Sequence, residues 1–521
     1  MPIVLGLDSS TQSLSAVILD TGSGQIIAGD SVNFGKDLPH YGQPSGYDPS
    51  GKRGEVHAHP LMWVDALDLL LTRMKTAGVA FGQIEAVSGS GQQHGSVYLK
   101  PCFGERLAGL NAAEAIKDQI AGCLTRQGSP IWMDSSTSEE CTEIANAVGG
   151  NEVVCAKSGS IAVERFTGSQ IRKFFKTEPE AYRSTGVIHL VSSFFASILA
   201  GKNVAIDHGD GAGMNLMNLA SGHWDADLLA ATAINLGAKL PPLAPSGTKS
   251  GKISSYFVEK YGFSADCETV IWSGDNPCSL VGMGAAGPGK VVISLGTSDT
   301  LFAAMPEPKT DPQGFGHAFG NPMGGYMSLI CFKNGSLARE AVKNQFDLEW
   351  SAFEKEGLAA TPVGNEGLMM LPFYEPEITP RLDTGGPVFS KEGELSAEQT
   401  VRAVLESQFL NMRLHSEWLG VDPERIFITG GASENDGIAQ VIANIFGVPV
   451  DRLDLPGSAS VGAAMRAAHG IGANLADLES KFSQPKEGRT IAPEEGAKGI
   501  YDEMLGEFRK FQSRVSRGKS V

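Results

Sequence analysis

The chain has 521 residues, with 42 Lys plus Arg against 59 Asp plus Glu, a formal net charge of −17. That length corresponds to two to four domains at roughly 150 residues each, and the acidity argues against a nucleic acid or an anionic membrane surface as partner. Seven cysteines without a C-x-x-C pair point to a reducing compartment, and no apolar run approaches the roughly 18 residues of a membrane helix.

The first 30 residues read as a β-meander. Ile3 to Leu7 is a continuous apolar run, Ala16 to Leu19 a second strand, and Gln25 to Ala28 a third after the turn Asp20 to Gly24. The run Met1 to Ser10 has no basic n-region, so no secretory leader is expected. Residues 35–60 read as a surface loop. Leu61 to Met74 places Leu67, Leu70, Leu71 and Met74 on one face of a helix. Ile84 to Val87 is a strand running into a small-residue loop, Ser88 to His94, and residues 130–200 are mostly helical. A short strand, Val270 to Trp272, precedes Ser273-Gly-Asp-Asn-Pro277.

A second meander, Val291 to Leu295 and Thr300 to Ala303, echoes the first when Thr11 is aligned with Thr297. Ile426 to Thr429 is a strand, Gly430-Gly431 a turn, and Ser433 with Asp436 a capping-box variant opening a helix with Ile438, Ile442, Ile445 and Phe446 on one face. Strands alternating with helices define the α/β class. The Gly/Pro segment Gly284 to Lys290 sets a domain boundary near residue 285, giving domains 1–285 and 286–521.

Two glycine motifs are rejected. Gly282-Met-Gly-Ala-Ala-Gly287 matches G-x-G-x-x-G, yet a helix precedes it and a strand follows, the reverse of a dinucleotide turn. Gly284 to Lys290 matches G-x-x-x-x-G-K, but Val291 stands where Ser or Thr would hold Mg²⁺. His57-Ala-His59 lacks a third ligand nearby and reads as a solvated loop.

Three segments share one design, a strand ending in a turn of small, hydroxylated residues or glycine. They are Asp8 to Ser13, Ser294 to Asp299 and Thr429 to Ser433. Backbone N–H groups and hydroxyls in such turns cradle phosphate oxygens without lysine. Asp8 enters such a turn directly, which makes sense only with Mg²⁺ between carboxylate and phosphate; alone it is an Asx turn residue. Asp275, beside Gly274 at a strand's carboxyl end, is placed to take a proton from a substrate hydroxyl, although G-D-N-P alone is also turn chemistry. Gln92, Gln93 and His94 suit a polyhydroxylated ligand.

Taken together, these residues resemble the FGGY family of carbohydrate kinases within the actin-like ATPase superfold, most closely its animal-type xylulose-phosphorylating subgroup. Besides Asp8, the matching segments are Leu61–Val64, Ser88–Ser96, Trp132–Ser136, Glu164–Gly168, Asp210–Asn215, Ser273–Pro277, Ser294–Thr300, Cys331–Ser336 and Thr429–Ser433, in order along most of the chain. The resemblance implies an α/β fold of two actin-like (ribonuclease H-like) domains with a cleft between them. It implies ATP- and Mg²⁺-dependent phosphorylation of O5 of D-xylulose. Asp275 then corresponds to the general base, and Asp8 to the residue positioning Mg²⁺ and phosphates. Gln93, His94, Arg165, Asp210, Asp275 and Asn276 correspond to the sugar-contacting set. Ser10, Thr11 and Gln12, with Gly296, Thr297 and Ser298, correspond to the phosphate turns. Gly430, Gly431 and Asn435 correspond to the adenosine segment, and Trp350 to a tryptophan beside the nucleotide. Ser9-Ser10-Thr11 departs from the Gly-Thr that most of the family carries after the first Asp. For Arg165 and Asp210 a structural ion pair stays open. Another ketose or polyol as acceptor, or a non-catalytic sugar- or nucleotide-binding relative, are the alternative readings. A cytoplasmic monomer or homodimer is expected.

Overall fold

A computed structural model of the chain describes residues 2–453, 457–485 and 488–516. The chain divides into two compact units. The N-terminal unit comprises Met1–Ala286, Ala318–Met327 and Leu455–Gln484, and the C-terminal unit Gly287–His317, Ser328–Asp454 and Pro485–Val521.

The N-terminal unit is built on a seven-stranded sheet. Its strands are β1 (Ile3–Ser9), β2 (Ser13–Asp20), β3 (Gln25–Asn33), β4 (Ile84–Gly91), β5 (Lys249–Lys252), β6 (Glu268–Val270) and β7 (Ser273–Gly274). The order is β5-β6-β4-β1-β2-β3, with β7 also on β4. β1 to β3 form the antiparallel meander, while β4 runs parallel to β1 and both β6 and β7 run parallel to β4. The register sets Asp8 opposite Ser90 and Ser90 opposite Ser273. The carboxyl ends of three parallel strands therefore lie abreast, the edge at which α/β sheets place ligands.

Helix α1 (Pro60–Thr76) covers this sheet with Trp63, Leu67, Leu70 and Leu71, all fully buried, and Met74. Helices α2 (Thr167–Thr177), α3 (Val191–Ala200) and α4 (Asp275–Gly282) follow. On β1, Gly6 admits the helix Ser458–Gly470 so closely that a Cβ there would stand 2.1 Å from the Ser460 carbonyl oxygen.

The C-terminal unit repeats the plan. β8 (Lys290–Leu295), β9 (Asp299–Met305), β10 (Tyr326–Phe332), β11 (Arg425–Thr429) and β12 (Val450–Arg452) lie in the order β10-β9-β8-β11-β12. β8 is antiparallel to β9 and parallel to β11, which is parallel to β12. Strand for strand this is the path β3-β2-β1-β4-β6, so the echo between the two meanders extends to whole sheets. Helices α5 (Ser336–Gln345), α6 (Ala397–Ser416) and α7 (Asp436–Phe446) belong to this unit.

Several sequence expectations need correction. Ser88 to Gly91 continue strand β4 rather than opening a loop, because parallel pairing on β1 and β7 supplies the hydrogen bonds that small side chains alone do not announce. The strand expected at Val270–Trp272 is two pieces, β6 and β7, with Ile271 and Trp272 between them; the Trp272 indole fills the space over Gly89. Helix α7 is capped by Asn435, whose Oδ1 accepts from Ile438 N at 2.9 Å, while the Ser433 hydroxyl donates back to Gly430 O at 2.7 Å. His57 and His59 are not in a solvated loop. His57 pairs with Asp134 at 3.3 Å and His59 Nδ1 caps α1 by accepting from Leu61 N. The rejected glycine motif does sit as expected between a helix, α4, and a strand, β8.

Candidate active site

In the N-terminal unit, Asp8 is the last residue but one of β1 and its Oδ1 accepts a hydrogen bond from the Ser90 hydroxyl on β4. Burial pushes the Asp8 carboxyl up to about 7; the Ser90 hydroxyl opposes this and the charge of Asp275 adds to it. Asp275 is the first residue of α4, directly after β7. Its Oδ1 accepts from Asn276 N at 2.9 Å and from Gln93 N at 3.3 Å. Burial pushes its carboxyl up to about 6 against those two N–H groups. Both carboxylates keep part of their surface open.

Gln93 also accepts from Asn276 Nδ2 at 2.8 Å, joining the loop after β4 to the start of α4. Gly274 is required there, since a Cβ would stand 2.3 Å from Gln93 Cγ. His94 follows at φ +69°, a strained position for a non-glycine residue. Its ring stacks on Phe166 at 4.1 Å and its Nδ1 lies 2.7 Å from Gly213 O. Arg165 lies over the same Phe166 ring at 5.5 Å. Asp210 is 1 % exposed; its Oδ2 accepts from the Ser192 hydroxyl on α3, its backbone N donates to Asp207 Oδ1 at 2.8 Å, and its Oδ1 is buried without a hydrogen bond. Burial, with the neighbouring charge of Asp207, holds the Asp210 carboxyl well above its usual range.

In the first turn, Ser10 bonds across to Ser13 O at 3.0 Å, Thr11 Oγ1 accepts from Trp132 Nε1 at 2.8 Å, and Gln12 is exposed, with its carbonyl holding Phe34 N. The structure thus brings Asp8, Asp275, Asn276, Gln93 and His94 into one connected set, with Arg165 and Asp210 reached through Phe166 and Gly213.

The C-terminal unit holds the remaining candidates. Gly296, Thr297 and Ser298 form the β8–β9 turn, with both hydroxylated residues exposed. Asp299 anchors that turn. Its Oδ1 accepts from Gly296 N at 3.1 Å, and Arg339 of α5 grips both oxygens at 2.9 and 3.0 Å. Gly430, at φ +92°, sits so near Leu295 O that a Cβ would reach 2.4 Å, while Gly431 faces open space. Trp350 is 45 % exposed and begins a short 3₁₀ turn, Trp350–Phe353. The carbonyl of Phe353 packs on Gly437, just past Asn435, so Trp350 and the Gly430–Asn435 turn share one side of this unit. A cleft of about 680 Å³ is lined there by Leu358, Asp436, Gly437, Gln440 and Asn444.

The sequence reading missed Ser90, Ser192, Asp207, Gly213 and Arg339. Only Asp207 left a local trace, as an Asx residue three before Asp210; the others are identified by contacts distant in sequence.

The residues present fit a magnesium–phosphate group. Asp8 and Asp275 repel one another in a partly buried setting and are both lifted above the usual carboxylate range, which a cation between them and a phosphate would reverse. Among the described residues no group of three or more His, Cys, Asp or Glu could form a protein-only cage. That suits Mg²⁺, which takes one or two carboxylates and completes its shell with phosphate and water oxygens.

A meander sheet thus occurs twice with hydroxyl-rich turns at the strand ends, and in the N-terminal unit a carboxylate stands beside a polar loop. Residues 127–282 match the N-terminal domain of the FGGY family of carbohydrate kinases and residues 291–471 its C-terminal domain. A xylulose kinase of Rattus norvegicus is 42% identical over 98% of this chain and 96% of its own length, and Xylulose kinase 2 of Arabidopsis thaliana is 43% identical over 90% and 87%. The crystal structure of a xylulose kinase from Rhodospirillum rubrum superposes with a TM-score of 0.83, covering 99% of both chains at 21% identity. The chain belongs to the FGGY family of carbohydrate kinases.

Proposed function

We propose that this chain transfers the γ-phosphoryl group of ATP to O5 of D-xylulose, giving D-xylulose 5-phosphate. The observation that carries the chemistry is Asp275, a half-buried carboxylate at the carboxyl edge of a sheet, fixed by Gln93 and Asn276 and raised to about 6. The substrate reading is carried by relatives of that activity matched along nearly the whole chain.

Phosphoryl transfer is mostly positioning and charge neutralisation. Asp275 accepts the O5 proton as the hydroxyl attacks. Gln93, His94, Arg165, Asp210 and Asn276 hold the sugar so that O5 alone reaches Asp275. Asp8 would hold Mg²⁺, which would supply charge neutralisation on the phosphates. The turns at Ser10–Gln12 and Gly296–Ser298 cradle phosphate oxygens with backbone N–H groups and hydroxyls. Gly430, Gly431 and Asn435 line the adenosine, with Trp350 and the neighbouring cleft beside the base. Residues 1–285 thus serve the sugar and the first phosphate contact, and residues 286–521 the nucleotide. None of the seven cysteines forms a disulfide with another described residue, which supports a cytoplasmic setting, and a monomer or homodimer is the assembly to check by sedimentation.

The test is a coupled ADP-release assay with Mg-ATP and a panel of D-xylulose, D-ribulose, L-xylulose, L-ribulose, D-fructose, glycerol and gluconate. D-xylulose should lead in kcat/KM by about tenfold or more, roughly 1.4 kcal/mol of transition-state discrimination. A different leader would reassign the pocket around His94 and Arg165, and no turnover with any sugar would refute the kinase reading.

A further inference from the structure

Two thiols of the N-terminal unit face each other outside the set of residues assigned above. The Sγ atoms of Cys102 and Cys123 lie 3.6 Å apart, although the residues are 21 positions apart in sequence. Cys102 opens the short helix Phe103–Ala108, and Cys123 closes a 3₁₀ turn, Ala121–Cys123. Phe103 and Leu107 on one side, and Ile116 and Ile120 on the other, are fully buried in the core of this unit. Packed elements rather than loose loop ends therefore hold both thiols. The backbones are tied as well. Lys100 N donates to Cys123 O at 2.8 Å, Lys100 Nζ donates to Gly122 O at 2.8 Å, and Thr125 N donates to Tyr98 O at 3.0 Å.

The two sulfurs differ in what can reach them. Cys123 is 2 % exposed, whereas Cys102 keeps part of its surface open. Burial, and then the neighbouring Cys102 sulfur, push the Cys123 thiol up to about 11, against the charges of Arg106 and Lys100. Cys123 therefore keeps its proton, and its S–H points its weak hydrogen bond at the Cys102 sulfur. An oxidant arriving from solvent meets Cys102 first. A partly open thiol with cationic side chains nearby is the kind that reacts. A second thiol within 3.6 Å is then in place to resolve an oxidised Cys102 before it advances to an irreversible acid.

We infer that Cys102 and Cys123 form a redox modification site, at which hydrogen peroxide oxidises Cys102 and Cys123 then closes a reversible disulfide. In the first step the Cys102 sulfur attacks one peroxide oxygen. An S–O bond forms, the O–O bond breaks, and the departing hydroxide leaves as water with the thiol proton, so that Cys102 becomes a sulfenic acid. In the second, the Cys123 sulfur attacks the Cys102 sulfur. The S–S bond forms, the S–O bond breaks, and the hydroxide leaves as a second water with the Cys123 proton. Two thiols and one peroxide thus give one disulfide and two waters, and a dithiol reductant reverses the bond by exchange. The sulfurs need to close from 3.6 Å to the roughly 2.05 Å of a disulfide, about 1.5 Å shared by small turns about two Cα–Cβ bonds. In a reducing compartment such a bond is transient, the sensing use of a thiol pair rather than a structural one.

The experiment takes the reduced full chain, treats it with a small excess of hydrogen peroxide and maps its peptides by mass spectrometry. The main oxidised product should be the peptide holding Cys102 joined to the peptide holding Cys123, lighter than their sum by two hydrogens, and dithiothreitol should return both thiols. In Cys123→Ser the sulfenic acid at Cys102 has no resolving partner. A dimedone-type trap should capture it, and sulfinic acid at Cys102 should rise about tenfold or more over wild type. The oxidised wild type should melt at least as high as the reduced protein, because the bond closes a loop without displacing packed elements. Cys102 that stays a thiol, or that reaches sulfinic acid in wild type as readily as in Cys123→Ser, overturns the inference. So does a link from Cys102 to a different cysteine, or a lower melt on oxidation. Because Cys123→Ser alters a buried position and can fail to fold, the wild-type map is decisive by itself. Cys102→Ser, at the more open position, gives a second check: it should lose the link and leave Cys123 a thiol, and peroxide oxidation of Cys123 in that variant would contradict Cys102 as the entry point.

Discussion

Asp8 and Asp275 are both carboxylates lifted by burial, and the lift has opposite consequences for chemistry and for stability. In the proposed role Asp275 works ionised, because only the carboxylate accepts the hydroxyl proton. Its carboxyl titrates near 6, so kcat/KM should fall about tenfold per pH unit below that point, well above the usual aspartate range near 4. Asp275→Asn should keep the fold and ketose binding, lose roughly 10²–10⁴ in kcat and lose that acid limb. Near-normal kcat in the variant would remove Asp275 from its role. For Asp8 the sign runs through stability. The folded state binds its proton more tightly than the unfolded chain does, so the ionised carboxylate costs stability as pH rises from about 4 to about 7. Without nucleotide, Asp8→Asn should therefore raise stability by roughly 1–3 kcal/mol at pH 7.5, the gain fading toward pH 4, while phosphotransfer is lost. Denaturant melts at the two pH values decide it, and a variant less stable than wild type at pH 7.5 would contradict the burial argument.

Between residue and molecule, glycines set where elements meet. A Cβ at Gly462 would stand 1.9 Å from the Cys278 carbonyl oxygen on α4, and one at Gly282 would stand 2.0 Å from the Ser458 carbonyl oxygen. The helix Ser458–Gly470 and α4 thus touch backbone to backbone, and Asp275 is the first residue of α4. Gly462→Ala should cost about 1–3 kcal/mol by overpacking and, by displacing α4, lower kcat as well. Gly499→Ala, in a helix position with open space around it, should be neutral or stabilising by up to about 1 kcal/mol, with kcat unchanged. Equal effects in thermal melts and kinetics would deny the close packing its role. The same elements show what was legible in sequence. Both antiparallel meanders were readable because a hairpin is local, strand and turn chemistry standing side by side. β4 beyond Val87 was not, because Ser-Gly-Ser-Gly has no strand propensity and is held by parallel neighbours at Asp8 and Ser273. Of the site, the turn-borne Asp8, Thr297 and Gly430 and the strand-end Asp275 could be read from pattern. Ser90, Ser192 and Arg339 could not, since each matters only through a partner 18 to 82 positions away.

At the scale of the whole chain, the sheet, the meander and the turn between its first two strands occur twice, but the two copies carry different residues. In the first copy Asp8 and Ser90 face each other and Asp275 follows β7. In the second, Ser294 stands opposite Thr429, and the one carboxylate of that turn, Asp299, is occupied by Arg339. On the proposed mechanism, the first copy supplies carboxylates for acid–base and cation work, and the second supplies hydroxyls and N–H groups to phosphate oxygens. The proposed mechanism predicts that ATP is consumed slowly without a ketose, water taking the place of O5 at the Asp275 carboxylate. Adding D-xylulose should raise ATP consumption by orders of magnitude and bring ADP and sugar phosphate to a 1:1 ratio. Asp275→Asn should depress both the ketose-dependent reaction and the slow hydrolysis, because the same carboxylate orients either acceptor. Hydrolysis that persists unchanged in Asp275→Asn, or that goes undetected in wild type over long incubation, would separate ATP cleavage from Asp275 and require a different group to position the attacking oxygen.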